Sequence, residues 1–302
     1  VTTPTTSRRA AGVAAALFAV ALWAGWIPVT RLGVVTRLTP WDVAALRFGI
    51  SGLLLLPLFL RRYREVPWSR PVPLAGLVAG AGVPYLLAFG SGLRIANSGQ
   101  GGVLGPGANG AFVAAFALAA LGERPGRRRV FGLAITLVGV ALVVLHDASQ
   151  GGVRIGGFAL ILLASALWAV YTVSSRALAL DPLLNAAVVC VVNALLYVPD
   201  YLAAGGAARL AAVPAADLAL QAVYQGVVTA IVALVAYAFA VERLGPTGAA
   251  GFTPLSPVLA AAFGWLMLGD TVDPATGGGL ALVAAGVVVA SGALARTAAP
   301  GR

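Results

Sequence analysis

At 302 residues, 60% apolar and only 10% charged, the chain lacks the charged quarter or so of residues that keeps a soluble domain dispersed in water. Its formal charge is +10, every one of its twenty basic residues is arginine, and these stand in short clusters between apolar runs; that placement suits anionic lipid head groups and argues against nucleic-acid binding. Cys190 is the single cysteine, which excludes an intrachain disulfide and a thiolate metal centre.

The first apolar run, at about 10–30, follows Arg8 and Arg9 like the core of an export signal. It continues through Trp23, Trp26 and Pro28 to Arg31, about twenty residues, so it predicts an uncleaved transmembrane helix. Further runs follow at about 43–60, 72–93, 101–121, 130–145, 155–175, 183–199, 218–241, 249–268 and 277–295. They are continuous, unlike the alternating strands of a membrane barrel, and predict an all-α integral membrane fold of ten helices. The runs at 130–145 and 183–199 are short, and Arg129 and Tyr201 are placed to extend them to the head groups. With the N-terminus inside, fourteen arginines fall on the cytoplasmic side and five outside, leaving Arg47 within the second helix. Both termini are therefore expected in the cytoplasm.

The chain repeats itself. Ala21-Leu22-Trp23-Ala24 returns as Ala166-Leu167-Trp168-Ala169, and Arg31 as Arg176, at a spacing of 145. At a spacing of 147, Leu121-Gly122-Glu123 matches Leu268-Gly269-Asp270, Gly132-Leu133 matches Gly279-Leu280, and Gly139-Val140 matches Gly286-Val287. These matches divide the chain into units at 10–147 and 155–296. Five helices in each make the second unit enter the membrane in the opposite sense, so the expectation is two inverted five-helix repeats, an arrangement that serves alternating access.

On Leu22-Trp23-Ala24-Gly25, Leu46-Arg47-Phe48, Leu121-Gly122-Glu123-Arg124 and the Gly132 and Gly139 pattern, the chain resembles the drug/metabolite transporter superfamily, specifically proteins with two EamA domains. The resemblance covers nearly the whole chain. It implies a metabolite exporter or permease of the inner membrane with a central cavity between the halves. Asp270 stands where the family has Glu, and Leu46-Arg47-Phe48 has no counterpart near Val192, so Arg47 is expected without a symmetry mate. The Ala, Gly, Val, Leu and Arg bias suggests a GC-rich bacterial genome, hence a bacterial plasma membrane.

Arg47 is the sharpest candidate, because an arginine inside a membrane helix costs at least about 2.5 kcal/mol unless it finds partners or water. Either it faces the cavity and holds an anionic group of a solute, or it bonds helix-end carbonyls or snorkels outward. Trp23, Trp26, Trp168 and Tyr171 occupy matched positions in the first and sixth helices. They suit a cavity for apolar or amphipathic solutes or, equally, an interfacial belt or plain packing. Tyr85, Asn109, Asn193, Tyr224, Gln225 and Ser256 are polar side chains inside apolar runs; they are expected either to bond between helices or to line the solute path. Pro106 among Gly105, Gly107 and Gly110, and Pro254 with Pro257, mark interruptions in the fourth and ninth helices, the best sequence pointer to a transporter's site. Gly76, Gly80, Gly101 and Gly105 suit close helix packing. All ten acidic residues fall at helix ends or in loops, offering no midplane carboxylate for a coupling proton.

Enzymatic readings lack groups. His146 is the sole histidine, and neither a nucleophile motif nor a phosphate loop is present; no catalytic residue, metal or cofactor is expected. The function expected is secondary transport of small metabolites such as amino acids or amphipathic compounds by alternating access. The alternative is a non-transporting scaffold, lipid-handling protein or sensor. Expected partners are a small-molecule solute and membrane lipids; a homodimer is compatible with the sequence.

Overall fold

The computed structural model describes residues 6–291. Arg296, Arg302, the side chain of Arg8 and the expected end of the second unit at 296 lie outside the described residues. The described chain is helical, without strands. Its longer helices are α1 (Thr6–Thr36), α2 (Pro40–Arg62), α3 (Pro71–Leu93), α4 (Ser98–Leu121), α5 (Arg127–Ser149), α6 (Ile155–Leu178), α7 (Pro182–Ala203), α8 (Ala215–Gly245), α9 (Leu255–Leu268) and α10 (Pro274–Ser291). Among the described residues nine are long and apolar enough to cross a membrane, and α9 is shorter. Its 14 residues span about 21 Å, less than the roughly 30 Å hydrocarbon core. The runs that looked short in the sequence are full helices, α5 of 23 residues and α7 of 22, because their flanks continue the helix.

Local chemistry sets the helix ends. Thr39 and Asp42 form a capping box before α2, with Pro40 in its first turn. Asp181 caps α7 by accepting the Leu184 and Leu183 N–H groups at 3.1 Å. The Leu184 bond, with Arg62 beside it, holds the Asp181 carboxyl below the usual carboxylate range. α4 and α9 both end on a left-handed glycine, Gly122 (φ 69°) and Gly269 (φ 67°). The next residue's N–H then returns to the last turn, Glu123 to Ala117 O and Asp270 to Gly264 O.

The helices pack as a two-fold repeat. α1 lies on α8 and α9, and α6 lies correspondingly on α3 and α4, while α2 packs on α7 and α5 on α10. Exchanging the halves maps each pair onto another or onto itself. The α5–α10 contact depends on glycine. A Cβ on Gly132 would lie 2.5 Å from Gly286 O and Ala290 N, and one on Gly139 would lie 2.9 Å from Gly279 O. The glycines matched in sequence thus cross over in space, each facing the other's mate. Gly80 admits the α6 backbone in the same way, a Cβ there falling 2.5 Å from Leu167 O and Tyr171 N.

α3 is not continuous. It breaks at Ala81-Gly82 and restarts at Val83, leaving backbone groups that lipid cannot satisfy. Asn193 of α7 repairs the break: its Oδ1 accepts the Val83 N–H at 2.9 Å and its Nδ2 donates to Val78 O at 3.0 Å and to Val189 O at 2.8 Å.

Gly132→Val should therefore force the α5 and α10 backbones apart and lower stability by about 1–3 kcal/mol. Gly126→Ala, where a Cβ meets nothing within 4 Å, should leave the melting temperature in detergent within error of the parent. Asn193→Ala should cost about 1–3 kcal/mol through the unpaired Val83 N–H and Val78 O, visible as a lower melting temperature that Asn193→Asp does not fully restore, since it replaces the donating Nδ2.

Candidate functional site

Five aromatic rings run between the halves. Trp26 of α1 is 8% exposed; its ring stacks on Tyr85 of α3 at 5.9 Å and an interplanar angle of 16°, with Phe89 at 4.9 Å. Tyr85 lies 5.1 Å from Trp168 of α6, and Trp168 lies 5.0 Å from Tyr171. The Tyr171 hydroxyl accepts from Asn185 Nδ2 of α7 at 3.2 Å. Such offset and tilted pairs are the favoured aromatic geometry, and the chain joins α1, α3, α6 and α7.

Polar groups of α8 meet this chain at Trp26. The Trp26 Nε1–H donates to Gln225 Oε1 at 2.7 Å, and Gln225 Nε2 donates to Thr30 Oγ1 at 2.9 Å and Gln221 Oε1 at 3.2 Å. Gln221 Nε2 in turn reaches Val29 O at 2.6 Å. Gln225 belongs to a stretch of π-helix, Tyr224–Val232, a wider turn that is common at functional sites. Gly226 lets this stretch approach α2, since a Cβ there would lie 2.6 Å from Ile50.

Arg47 of α2 closes the group. Its guanidinium carbon sits 5.5 Å from the Trp26 ring centre and 6.0 Å from that of Phe48, within cation–π range. Its Nη1 donates to Thr229 Oγ1 at a long 3.4 Å, and Thr229 Oγ1 donates to Gln225 O at 3.0 Å. Among the described residues no carboxylate lies within 4.0 Å of Arg47; the arginine–carboxylate pairs formed are Arg31–Asp270, Arg62–Glu65, Arg62–Asp181, Arg154–Asp147, Arg176–Glu123 and Arg209–Asp42. A guanidinium carries five N–H donors, so Arg47 keeps a fork suited to a carboxylate or phosphate.

The other sequence candidates lie elsewhere. Trp23 packs on Tyr237 of α8 at 5.1 Å instead of joining the five rings. Asn193 spends its amide on the α3 break. Asn109 Nδ2 donates to Ser165 O at 3.2 Å, and Ser165 Oγ donates back to Gly105 O at 2.8 Å, a bond between α4 and α6 at the π turn Val103–Gly107 that holds Pro106. The Tyr224 hydroxyl donates to Leu22 O at 2.9 Å. Pro254 and Pro257 do not interrupt a helix: they occupy the N-cap and first turn of α9, where a missing N–H costs nothing, and they shorten the helix. Ser256 lies between them, about 10 Å along the axis from Phe263, the α9 residue nearest Gly25. Sequence reasoning missed Thr30, Phe89, Asn185, Gln221 and Thr229. Gln221, Gln225 and Thr229 recur every fourth residue in an apolar run, and that spacing was the available signal.

Residues 10–145 and 155–292 each match the EamA-like transporter family. YedA, an uncharacterized inner membrane transporter of Escherichia coli (strain K12), is 27% identical over 267 residues, spanning 85% of this chain and 83% of YedA, and the YedA proteins of two further strains match equally. One solved crystal structure shares the fold, with a TM-score of 0.57 and 22% identity over 98% of this chain and 100% of that one. Two matched repeats covering nearly all of an apolar, all-helical chain place this protein in the EamA-like transporter family, as a multi-pass membrane transporter.

Proposed function

We propose that the chain is a secondary transporter of small amphipathic solutes that carry an anionic group, and that it works by alternating access between two inverted five-helix halves. The observation that carries this is Arg47, a guanidinium inside α2 without a carboxylate partner among the described residues, set against an aromatic chain contributed by both halves. The guanidinium takes the anionic end of the solute, while Trp26, Tyr85 and Trp168 offer the apolar face. Counting α9 as a tenth crossing makes each half odd in number and so inverted; the exchangeable helix pairs support that arrangement. The solute site then lies where the halves meet, in the first unit (10–147) and the second (155–296) together. The arginine distribution supports both termini in the cytoplasm.

In proteoliposomes, Arg47→Ala should lower flux of aromatic and aliphatic carboxylates by at least about tenfold, with Arg47→Lys intermediate and the yield of folded protein unchanged. Unaltered flux in Arg47→Ala would remove the anion role, and no flux of any solute by the folded parent chain would favour a non-transporting scaffold. For orientation, in a Cys190→Ala background, an impermeant maleimide applied to intact cells should label Arg154→Cys and spare Arg128→Cys; the reverse pattern would invert the topology.

A further inference from the structure

Among the ion pairs that cross between the halves, two are each other's images under the repeat. Arg31 of α1 meets Asp270, just past α9, with Nε 3.2 Å from both carboxylate oxygens. Arg176 of α6 meets Glu123, just past α4, with Nη1 3.2 Å from Oε2. Arg31 and Arg176 are matched at a spacing of 145, Glu123 and Asp270 at 147. Both acids follow a left-handed glycine that ends the helix in the same hydrogen-bonding pattern. Each half therefore presents an arginine to the other's acid.

The pairs stand at opposite ends of the molecule. Asp270 Oδ2 accepts the N–H of Ser98, the first residue of α4, at 2.9 Å, whereas Glu123 lies just beyond Leu121, the last. α4 has 24 residues, so about 36 Å separates the two, too far for direct coupling across a Debye length.

Their environments differ. The Asp270 side chain is 7% exposed, Arg31 also donates to Leu93 O at 3.0 Å, and Ala96 and Ser98 beside them are fully buried. Arg176 and Glu123 are 44% and 49% exposed. The α1 N-terminal end, on the Glu123 side of the bundle, opens into a 450 Å³ pocket lined by Arg9, Val13, Arg243 and Phe252 among others. A buried pair with further bonds resists separation, and an exposed one contributes little. Equivalent sequence thus gives one pair that is buried and one that is exposed.

Resting on the alternating-access reading, we propose that Arg31–Asp270 and Arg176–Glu123 are reciprocal latches, one made and buried while the other is exposed and free to part, so that closing one end opens the other. Neutralising a latch then shifts the population toward the state open at that end. As static clamps, by contrast, the two pairs would act independently.

The test uses a Cys190→Ala chain in proteoliposomes, with Ser98→Cys or Ser174→Cys as the reporter. Ser98 adjoins Asp270, and Ser174 lies two residues before Arg176 where α6 meets Gly76 of α3. Labelling by an impermeant maleimide is timed from each side. Asp270→Asn should speed Ser98→Cys labelling and slow Ser174→Cys labelling, each by at least about fivefold, the lower end of ordinary coupling between sites. Glu123→Gln, at an exposed position, should do the opposite. Effects confined to the substituted end, or none at either, overturn the latches. Because the readout is accessibility, it fails separately from the transport reading: reciprocal labelling without flux of any solute removes transport alone, and flux without reciprocal labelling removes the latches alone.

Discussion

Inside a bilayer no water stands ready to take a free N–H or C=O, so every departure from regular helix must be satisfied by another part of the protein. Three departures among the described residues show such repairs. At the α3 break the donor and acceptor come from Asn193 of α7. At the π turn of α4, Ser165 of α6 takes Gly105 O. In the π stretch of α8, Thr229 takes Gln225 O within the helix. Two of the three repairs cross from one half to the other, so backbone satisfaction is one of the forces that holds the halves in register.

The same constraint separates the roles of two residues at matching levels. Arg47 of α2 and Asn193 of α7 lie one residue off the 145 spacing, and each reaches the irregular helix beside it: Thr229 in α8 for Arg47, Val78 and Val83 in α3 for Asn193. Asn193 is fully engaged there. Among the described residues Arg47 gains only the long Thr229 bond there, so most of its guanidinium donors stay unspent. A degenerate repeat thereby gives one half a structural amide and the other a cation available to a ligand, and the aromatic chain from Trp26 to Tyr171 spans the space between them.

Much of the fold was legible because it is written in local chemistry. Membrane helices announce themselves by continuous apolar runs, and both copies of the Leu-Gly-acidic repeat end their helix on a left-handed glycine, Gly122 and Gly269. The glycines at 132, 139, 279 and 286 signalled the repeat, and the structure packs them closely against one another. Less of the site was legible. Trp23 and Trp26 look alike in sequence, yet one packs against Tyr237 and the other anchors the polar group. Pro254 and Pro257 resemble a helix break but fall at a helix start, where proline is tolerated. The wide turns of α8 carry no proline and only Gly226, so nothing marked them in advance.

What the sequence determined by itself was membrane residence, the helices in order, the two-fold repeat and the presence of a costly arginine in α2. These follow from hydropathy, spacing and backbone preference, which act over a few residues or repeat along the chain. Only the tertiary structure decided which aromatic rings meet, which polar side chains are consumed in mending backbone, and that Arg47 is left with open donors. It also decided that two ion pairs of the same design are unequally buried. Those outcomes depend on which helices become neighbours and how closely, and hydrogen-bond partners more than a hundred residues apart, such as Asn193 and Val78, have no signature in either local segment.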